Sequence, residues 1–396
     1  MVNIEPTIEE MLSEGLTGAV DRERHAFDRV AQEHGERIVL FGAGNLGRKT
    51  LVGLRQLGIE PIAFTDNDPA LRNRTVDGVS VLSPEEAARR YGVDAIFLIT
   101  IWRGEATDRM AERERQLREL GCKTVLPFGP LFWKYSEVFL PHYALDLPQN
   151  VHRQREAVLS AARLWADDDS RREYLAQLRW RLFCDFQGLP DPVQHPIYFP
   201  HNLCPVSSNE IFVDCGAYDG DTIDGFLAAT GGQFHEIFAF EPDPTNFAKL
   251  QQKSANSPSN GMPIVLYNSA VGAKTERTRF TATANESSFA GAGDLEVDCS
   301  ALDDVLRNVA PTYLKMDIEG SELEALAGAH NIIKRYSPVL AICAYHRQDH
   351  LWRVPLLINQ MSDNYYFFLR PHLVEVWDLV CYGIPKQRLT GLGPAM

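Results

Sequence analysis

Short apolar runs alternate with amphipathic stretches along the whole chain, and twice such a run opens onto a glycine-rich turn. In residues 1–145, Arg37–Phe41 is a β-prone run, followed by Gly42-Ala43-Gly44-Asn45-Leu46-Gly47 and a helical stretch to Leu57 that Gly58 ends. Pro61–Phe64, Ala95–Thr100 and Thr124–Pro127 read as further strands, and the unbroken apolar character of Ala95–Thr100 marks a strand covered on both faces. The charged segment Gly104–Leu120 reads as a surface helix. Strands alternating with helices predict a small Rossmann-like, doubly wound α/β domain.

Residues 146–205 break this rhythm. Arg155–Phe186 predicts two helices interrupted near Asp167-Asp168-Asp169-Ser170, and the prolines at 190, 192, 196, 200 and 205 make the following piece a crossing segment, neither helix nor central strand. In residues 206–396 the alternation resumes. Strands are predicted at Ile211–Asp214, Glu236–Glu241, Ile264–Asn268, Tyr313–Asp317, Val339–Ala344, Tyr365–Leu369 and Val374–Tyr382. The last two, joined by the short link Arg370–Leu373, predict an antiparallel hairpin closing a seven-stranded mixed sheet. Ser287–Gly293 reads as a loop able to cover a site.

Composition narrows the function classes. The 396 residues carry 39 Lys+Arg against 53 Asp+Glu, a formal net charge of −14. Such an excess repels phosphate backbones and anionic membrane surfaces, which argues against a general nucleic-acid binder. No run of about 18 apolar residues predicts a membrane span. The acidic start, MVNIEPTIEEMLSEG, lacks the pattern of a secretory signal. The seven cysteines are odd in number and show no C-x-x-C spacing, so reduced thiols in a cytoplasmic protein are expected. A homo-oligomer stays open.

The sharpest chemical signal is Phe212-Val213-Asp214-Cys215-Gly216-Ala217-Tyr218-Asp219-Gly220-Asp221-Thr222. A strand ends in an acid and turns through two glycines into a helix, so backbone approaches a ligand closely at the carboxyl end of the sheet. No lysine follows, which excludes a Walker-type phosphate loop. Asp214, Asp219 and Asp221 would repel a pyrophosphate and suit a ligand bearing an ammonium or sulfonium group, which favours S-adenosylmethionine over a dinucleotide. Glu241 ends the next strand about 25 residues after Gly216, near the offset of a ribose-binding acid. Asn268, Ser269 and Ala270 end the third strand with small residues where an adenine ring fits.

Together with Leu314-Lys315-Met316-Asp317-Ile318-Glu319-Gly320-Ser321-Glu322, Ala344-Tyr345-His346-Arg347 and Leu369-Arg370-Pro371-His372, these motifs resemble the FkbM family of S-adenosylmethionine-dependent methyltransferases over residues of about 206–385. The Asp168–Arg181 segment and the Tyr198-Phe199-Pro200 run are similar to pieces of longer members. The resemblance implies a class I methyltransferase fold and methyl transfer to a hydroxyl oxygen. It implies that Asp214, Gly216 and Gly220 hold the methionine end, with Ala217, Tyr218, Asp221 and Thr222 in the same turn. Glu241 would hold the ribose, Asn268–Ala270 would flank the adenine, and Asp317 and Glu319 would lie near the transferred methyl. The expected acceptor is a small molecule or saccharide presenting a hydroxyl.

Methyl transfer to an alcohol needs an aligned oxygen and a group to take its proton. Glu319, Asp317 and His346 are the candidate bases. Strand alternation would put Lys315, Asp317 and Glu319 on one face, with Lys315 neutralising one carboxylate, provided the strand continues that far. The same acids and His346 have ligand chemistry for Mg²⁺ or Mn²⁺, but local spacing establishes no such site and no metal is assigned.

The first glycine-rich turn, Gly42, Gly44 and Gly47 with Asp66 about 24 residues on, also fits a dinucleotide fingerprint, compatible with NAD or a nucleotide-sugar. No hydride-transfer constellation accompanies it, and tight helix–strand packing requires the same glycines. Two rival readings therefore remain beside methyl transfer: a nucleotide-sugar-binding scaffold with an inactive methyltransferase domain, and an NAD-dependent oxidoreductase.

Overall fold

Seven strands form the larger sheet of the computed structural model, which describes residues 3–31, 34–105, 109–257, 261–281, 289–290 and 295–389. A smaller sheet precedes it. Its strands are β1 (Ile38–Phe41), β2 (Ala63–Thr65), β3 (Thr75–Val76), β4 (Val79–Leu82), β5 (Ile96–Ile99) and β6 (Thr124–Pro127), in the order β3-β4-β2-β1-β5-β6. All neighbours are parallel except β3 and β4, a hairpin absent from the sequence reading. Its turn is Asp77-Gly78, both with positive φ, the conformation a two-residue hairpin loop needs.

The larger sheet contains β7 (Ile211–Cys215), β8 (Glu236–Phe240) and β9 (Ile264–Tyr267). After β9 come four short strands of a separate sheet, β10 (Ala270–Val271), β11 (Glu276–Thr281), β12 (Phe289–Ala290) and β13 (Leu295–Ser300). The larger sheet then resumes with β14 (Tyr313–Met316), β15 (Val339–Cys343), β16 (Tyr365–Pro371) and β17 (Leu379–Pro385). Its order is β16-β17-β15-β14-β7-β8-β9, with only β17 antiparallel to its neighbours. Both sheets thus share a five-strand parallel plan with the first strand central, and both place their glycine-rich turns at the carboxyl ends. The mixed α/β architecture is the one expected. Most of the Ser287–Gly293 loop lies outside the described residues.

One strand differs from expectation. Val374–Val376 do not join β17, which begins only at Leu379. The link between β16 and β17 instead reaches the smaller sheet, where Val376 is buried in that core and Glu375 Oε1 accepts a 2.6 Å hydrogen bond from Met110 N. The apolar alternation that suggested a strand serves burial against another part of the chain.

The helices Gln149–Arg153 and Arg155–Ala162 pack on the core of the larger sheet, and Asp168–Phe183 joins the two cores, giving Tyr174 and Leu178 to the larger and Ala176 and Trp180 to the smaller. Asp167 caps the last of them, accepting from Ser170 N at 2.9 Å, and pairs with Arg370 of β16. Trp165 bridges to Phe367 and Ala166 N donates to Phe367 O at 2.8 Å, covering the outer edge of β16. The core around the larger sheet also takes in Ile4, Ile8 and Leu12. Among the described residues, no helix is long and apolar enough to cross a membrane.

Within helix Asp168–Phe183, Glu173 is buried, and burial pushes its carboxyl up to about 7 against the opposing hydrogen bond from Gln177. Its Oε2 has no hydrogen-bond partner. A carboxyl protonated in the folded chain up to about pH 7, but with an ordinary value of 4.5, costs stability as pH rises between those values. Glu173→Gln is therefore expected to raise the melting temperature at pH 8 and to change it little at pH 4.5; equal shifts at both would contradict this.

Candidate active site

The floor of the site is a buried ion pair between adjacent parallel strands. Lys315 of β14 stands opposite Asp214 of β7, and its Nζ lies 2.9 Å from Asp214 Oδ1 and 2.6 Å from Gly216 O. Burial opposes the charge of Lys315, but Asp214, with Asp317 and Asp221 further off, outweighs it and holds the ammonium above its usual pKa. Gly216 follows with φ +79°, and a Cβ there would fall 1.9 Å from Asp317 O. Only glycine permits this approach of one strand end to the next. Gly220, at φ +93°, leads into helix Asp221–Thr230.

Glu241, directly after β8, is 5% exposed, and both its oxygens are engaged. Oε2 accepts from Tyr218 N at 2.9 Å and Oε1 from Asp243 N at 2.8 Å. Burial pushes its carboxyl up to about 7, although these two hydrogen bonds oppose the shift. Asn268 points away from this carboxylate: its side-chain nitrogen donates to Glu241 O at 2.8 Å and fixes the loop. Ser269 Oγ meets Ser300 Oγ at 3.0 Å.

At the end of β14 the chain leaves the strand geometry. The strand stops at Met316, and Glu319 adopts a left-handed φ of +53°. Alternation therefore does not carry Lys315, Asp317 and Glu319 onto one face, and Lys315 neutralises Asp214, not either of the later acids. Asp317 and Glu319 converge instead on His346, which follows β15. His346 Nε2 lies 3.3 Å from Asp317 Oδ1 and 3.8 Å from Glu319 Oε2. Its Nδ1 is 2.8 Å from Glu322 Oε1, and Tyr198 donates its hydroxyl to Asp317 Oδ2 at 2.7 Å. Burial would lower the imidazole pKa, but Glu322, Glu319 and Asp317 overcome it and raise it to about 10.

These features border a cavity of about 600 Å³. Of the residues marked from sequence, Gly216, Tyr218, Asp221, Thr222 and Glu241 line it on one side, with Ser269 and Ala270 beyond. Lys315, Asp317 and Glu319 line it at the far end. Asp214, Ala217, Gly220, Asn268 and His346 support it from outside.

The opposite wall comes from the first part of the chain. Asn45, Trp102, Arg103, Gly104 and Tyr143 face the same cavity, joined by Trp377 from the β16–β17 link. Sequence reasoning missed most of this wall, because its residues meet only through packing. Tyr198 and Glu322 were visible inside the family-like motifs without a role.

The first glycine-rich turn contributes Asn45 alone among its motif residues. A Cβ on Gly47 would fall 1.9 Å from Gly42 O, and one on Gly42 would fall 2.9 Å from Thr100 O. Asp66 accepts from Ala43 N at 2.7 Å and from Asp68 N at 2.9 Å. Helix–strand packing and turn formation account for these residues.

A seven-stranded sheet in this order, with one antiparallel strand and a glycine turn plus acid at adjacent strand ends, is the fold of class I methyltransferases. Residues 214–371 match the family profile described as Methyltransferase FkbM domain. The crystal structure of Methyltransferase FkbM from Methylobacillus flagellatus KT is similar, with a TM-score of 0.76 and 26% identity, covering 93% of this chain and 98% of that one. A comparison with the curated proteins finds no match. Residues 214–371 therefore carry an FkbM methyltransferase domain.

The buried pair gives a direct test. Lys315→Met leaves Asp214 without its counter-charge, which for a buried pair costs about 3–5 kcal/mol. Urea denaturation should show that loss, and a variant within about 1 kcal/mol of the parent, the range of an exposed pair, would deny the pair its structural role.

Proposed function

We propose that the protein transfers a methyl group from S-adenosylmethionine to a hydroxyl oxygen of a saccharide, a nucleotide-sugar or a natural product. The observation that carries this reading is the continuity of the cavity, which runs from Glu241 and the Gly216–Tyr218 turn to Asp317 and Glu319. The residues present fit that cofactor. Gly216 keeps the backbone free of a side chain where the methionine end lies, and Asp221 faces the same space with a charge suited to an ammonium group. Glu241 offers a carboxylate for two ribose hydroxyls, and Ser269 and Ala270 leave room for a flat ring.

When bound, the cofactor supplies an electrophilic methyl group on a sulfonium sulfur. The chain has to orient the acceptor and deal with the hydroxyl proton. Asp317 and Glu319 reach the cavity and are the groups placed to take it. His346, surrounded by three carboxylates, holds its own proton near neutral pH and orients Asp317.

The acceptor wall supports a saccharide. Trp102 and Trp377 pack with ring centroids 4.8 Å apart, and Tyr143 lies 5.0 Å from Trp377. Such rings offer apolar faces to a sugar, with polar groups at the edges. Arg103 is exposed and has neither a hydrogen bond nor an ion pair among the described residues, which suits an anionic group such as the phosphate of a nucleotide-sugar.

Calorimetric titration with S-adenosylmethionine tests the reading, with NAD as the parallel ligand. Micromolar binding is expected, weakened by Glu241→Ala. Because the ribose hydroxyls donate to the ionised carboxylate, affinity should rise with pH to about 7 and then level off. Below that it should fall by up to about tenfold per pH unit, and Glu241→Gln should remove this dependence. Binding of NAD without S-adenosylmethionine would overturn the proposal.

A further inference from the structure

Three carboxylates, Asp317, Glu319 and Glu322, surround the single imidazole of His346 at the end of β14. Even with the ring protonated, this cluster carries net negative charge, and a cation that binds Nε2 displaces its proton to solvent while Nδ1 keeps its own toward Glu322. His346 is 5% exposed, and its Nε2 makes no hydrogen bond, although it faces Asp317 and Glu319. We propose that Asp317, Glu319 and His346 Nε2 hold a divalent cation of the Mg²⁺ or Mn²⁺ class, placed so that the acceptor hydroxyl completes its coordination. The cation's use as a Lewis acid on that hydroxyl rests on the methyltransferase reading above; the binding itself does not.

The distances suit a shared ion. With bonds of about 2.1–2.3 Å, adjacent donors on one cation stand about 3 Å apart. The 3.3 Å separation of His346 Nε2 and Asp317 Oδ1 is close to that, and Glu319 Oε2, 3.8 Å from the same nitrogen, has to swing toward Asp317 to share the ion.

The outer contacts point the same way. A histidine that ligates a metal through one nitrogen usually engages a carboxylate through the other, which fixes the ring. Glu322 Oε1 stands in that relation to His346 Nδ1 at 2.8 Å. The Tyr198 hydroxyl holds Asp317 Oδ2, turning Oδ1 toward the imidazole. Glu322 has donor atoms within 4.8 Å of those of Asp317 and His346, but its Oε1 already accepts from Ile318 N at 3.0 Å and its Oε2 lies 3.2 Å from His350 Nδ1. Glu322 is therefore the orienting group and not the third ligand. Asp317 and Glu319 line the cavity, so the remaining coordination positions open toward the acceptor. Two carboxylates with open positions suit Mg²⁺, and the added imidazole suits Mn²⁺.

The test uses the full chain, freed of metal by chelator dialysis and titrated with MnCl₂ while free Mn²⁺ is followed by electron paramagnetic resonance. The expected result is one Mn²⁺ per chain, displaced by excess Mg²⁺. Affinity should fall about tenfold or more in Glu319→Gln, which leaves the buried contacts of His346 in place, and further in Asp317→Asn. Thermal melts establish that each variant folds, and if Asp317→Asn does not, Glu319→Gln decides. Absence of Mn²⁺ binding to the parent chain, or unchanged binding in a folded Glu319→Gln, overturns the proposal. Calorimetry with S-adenosylmethionine on the same metal-free sample separates the two readings: cofactor binding without Mn²⁺ binding sinks only the metal site, and Mn²⁺ binding without cofactor binding keeps the site and removes its role in methyl transfer.

Discussion

The ammonium of Lys315 is buried at the strand ends, and its partners come from the chain. Asp214 supplies the charge and the carbonyl of Gly216 a further acceptor. Meeting both holds β7 and β14 in one register and turns the Gly216 carbonyl down into the sheet, while Gly216 N bonds to Phe240 O at 3.0 Å. The glycine turn is thereby held between three strand ends. Asp317, two residues beyond Lys315, emerges at the cavity because the lysine is pinned below it. An apolar pair in those positions would serve packing as well or better, yet it would not direct a carbonyl and an acid to opposite sides of the strand end.

The smaller sheet repeats part of this construction without the charge. Gly42 approaches the carbonyl of Thr100 as Gly216 approaches that of Asp317, and Asp66 ties down its own loop as Glu241 does. The two copies differ in what they face. In the larger sheet the turn and the acid open onto the cavity, whereas the smaller sheet sends Asn45 and the residues after β5 across to form the far wall. The same backbone plan thus provides a binding surface in one half and a cover in the other.

Much of this was legible in the chain because its signals are local. A glycine turn after a strand, an acid at the next strand end and alternating apolar runs each depend on a few adjacent residues, so Gly216, Glu241 and the order of elements could be read directly. Partners brought together by folding could not. Tyr198 is 119 residues from Asp317, and no periodicity links them. Lys315, Asp317 and Glu319 do reach one cavity, but not by alternation, since the strand ends at Met316 and Glu319 turns left-handed, and Lys315 pairs with Asp214 instead. Val374–Val376 misled for a related reason: burial produces an apolar pattern whichever surface does the burying. The hairpin at Asp77-Gly78 is the exception, a local signal that went unread.

The link between β16 and β17 belongs by sequence to the larger sheet and by burial to the smaller one. Val376 is 1% exposed within the smaller core, and Gln177 of the intervening helix donates to Glu375 O at 3.3 Å. The two halves are therefore not interchangeable modules joined by a tether. A fragment cut at the crossing segment would bare Val376 and Trp377 to water and leave the edge of β16 unprotected, so shuffling this methyltransferase half onto another partner would require redesigning the link as well.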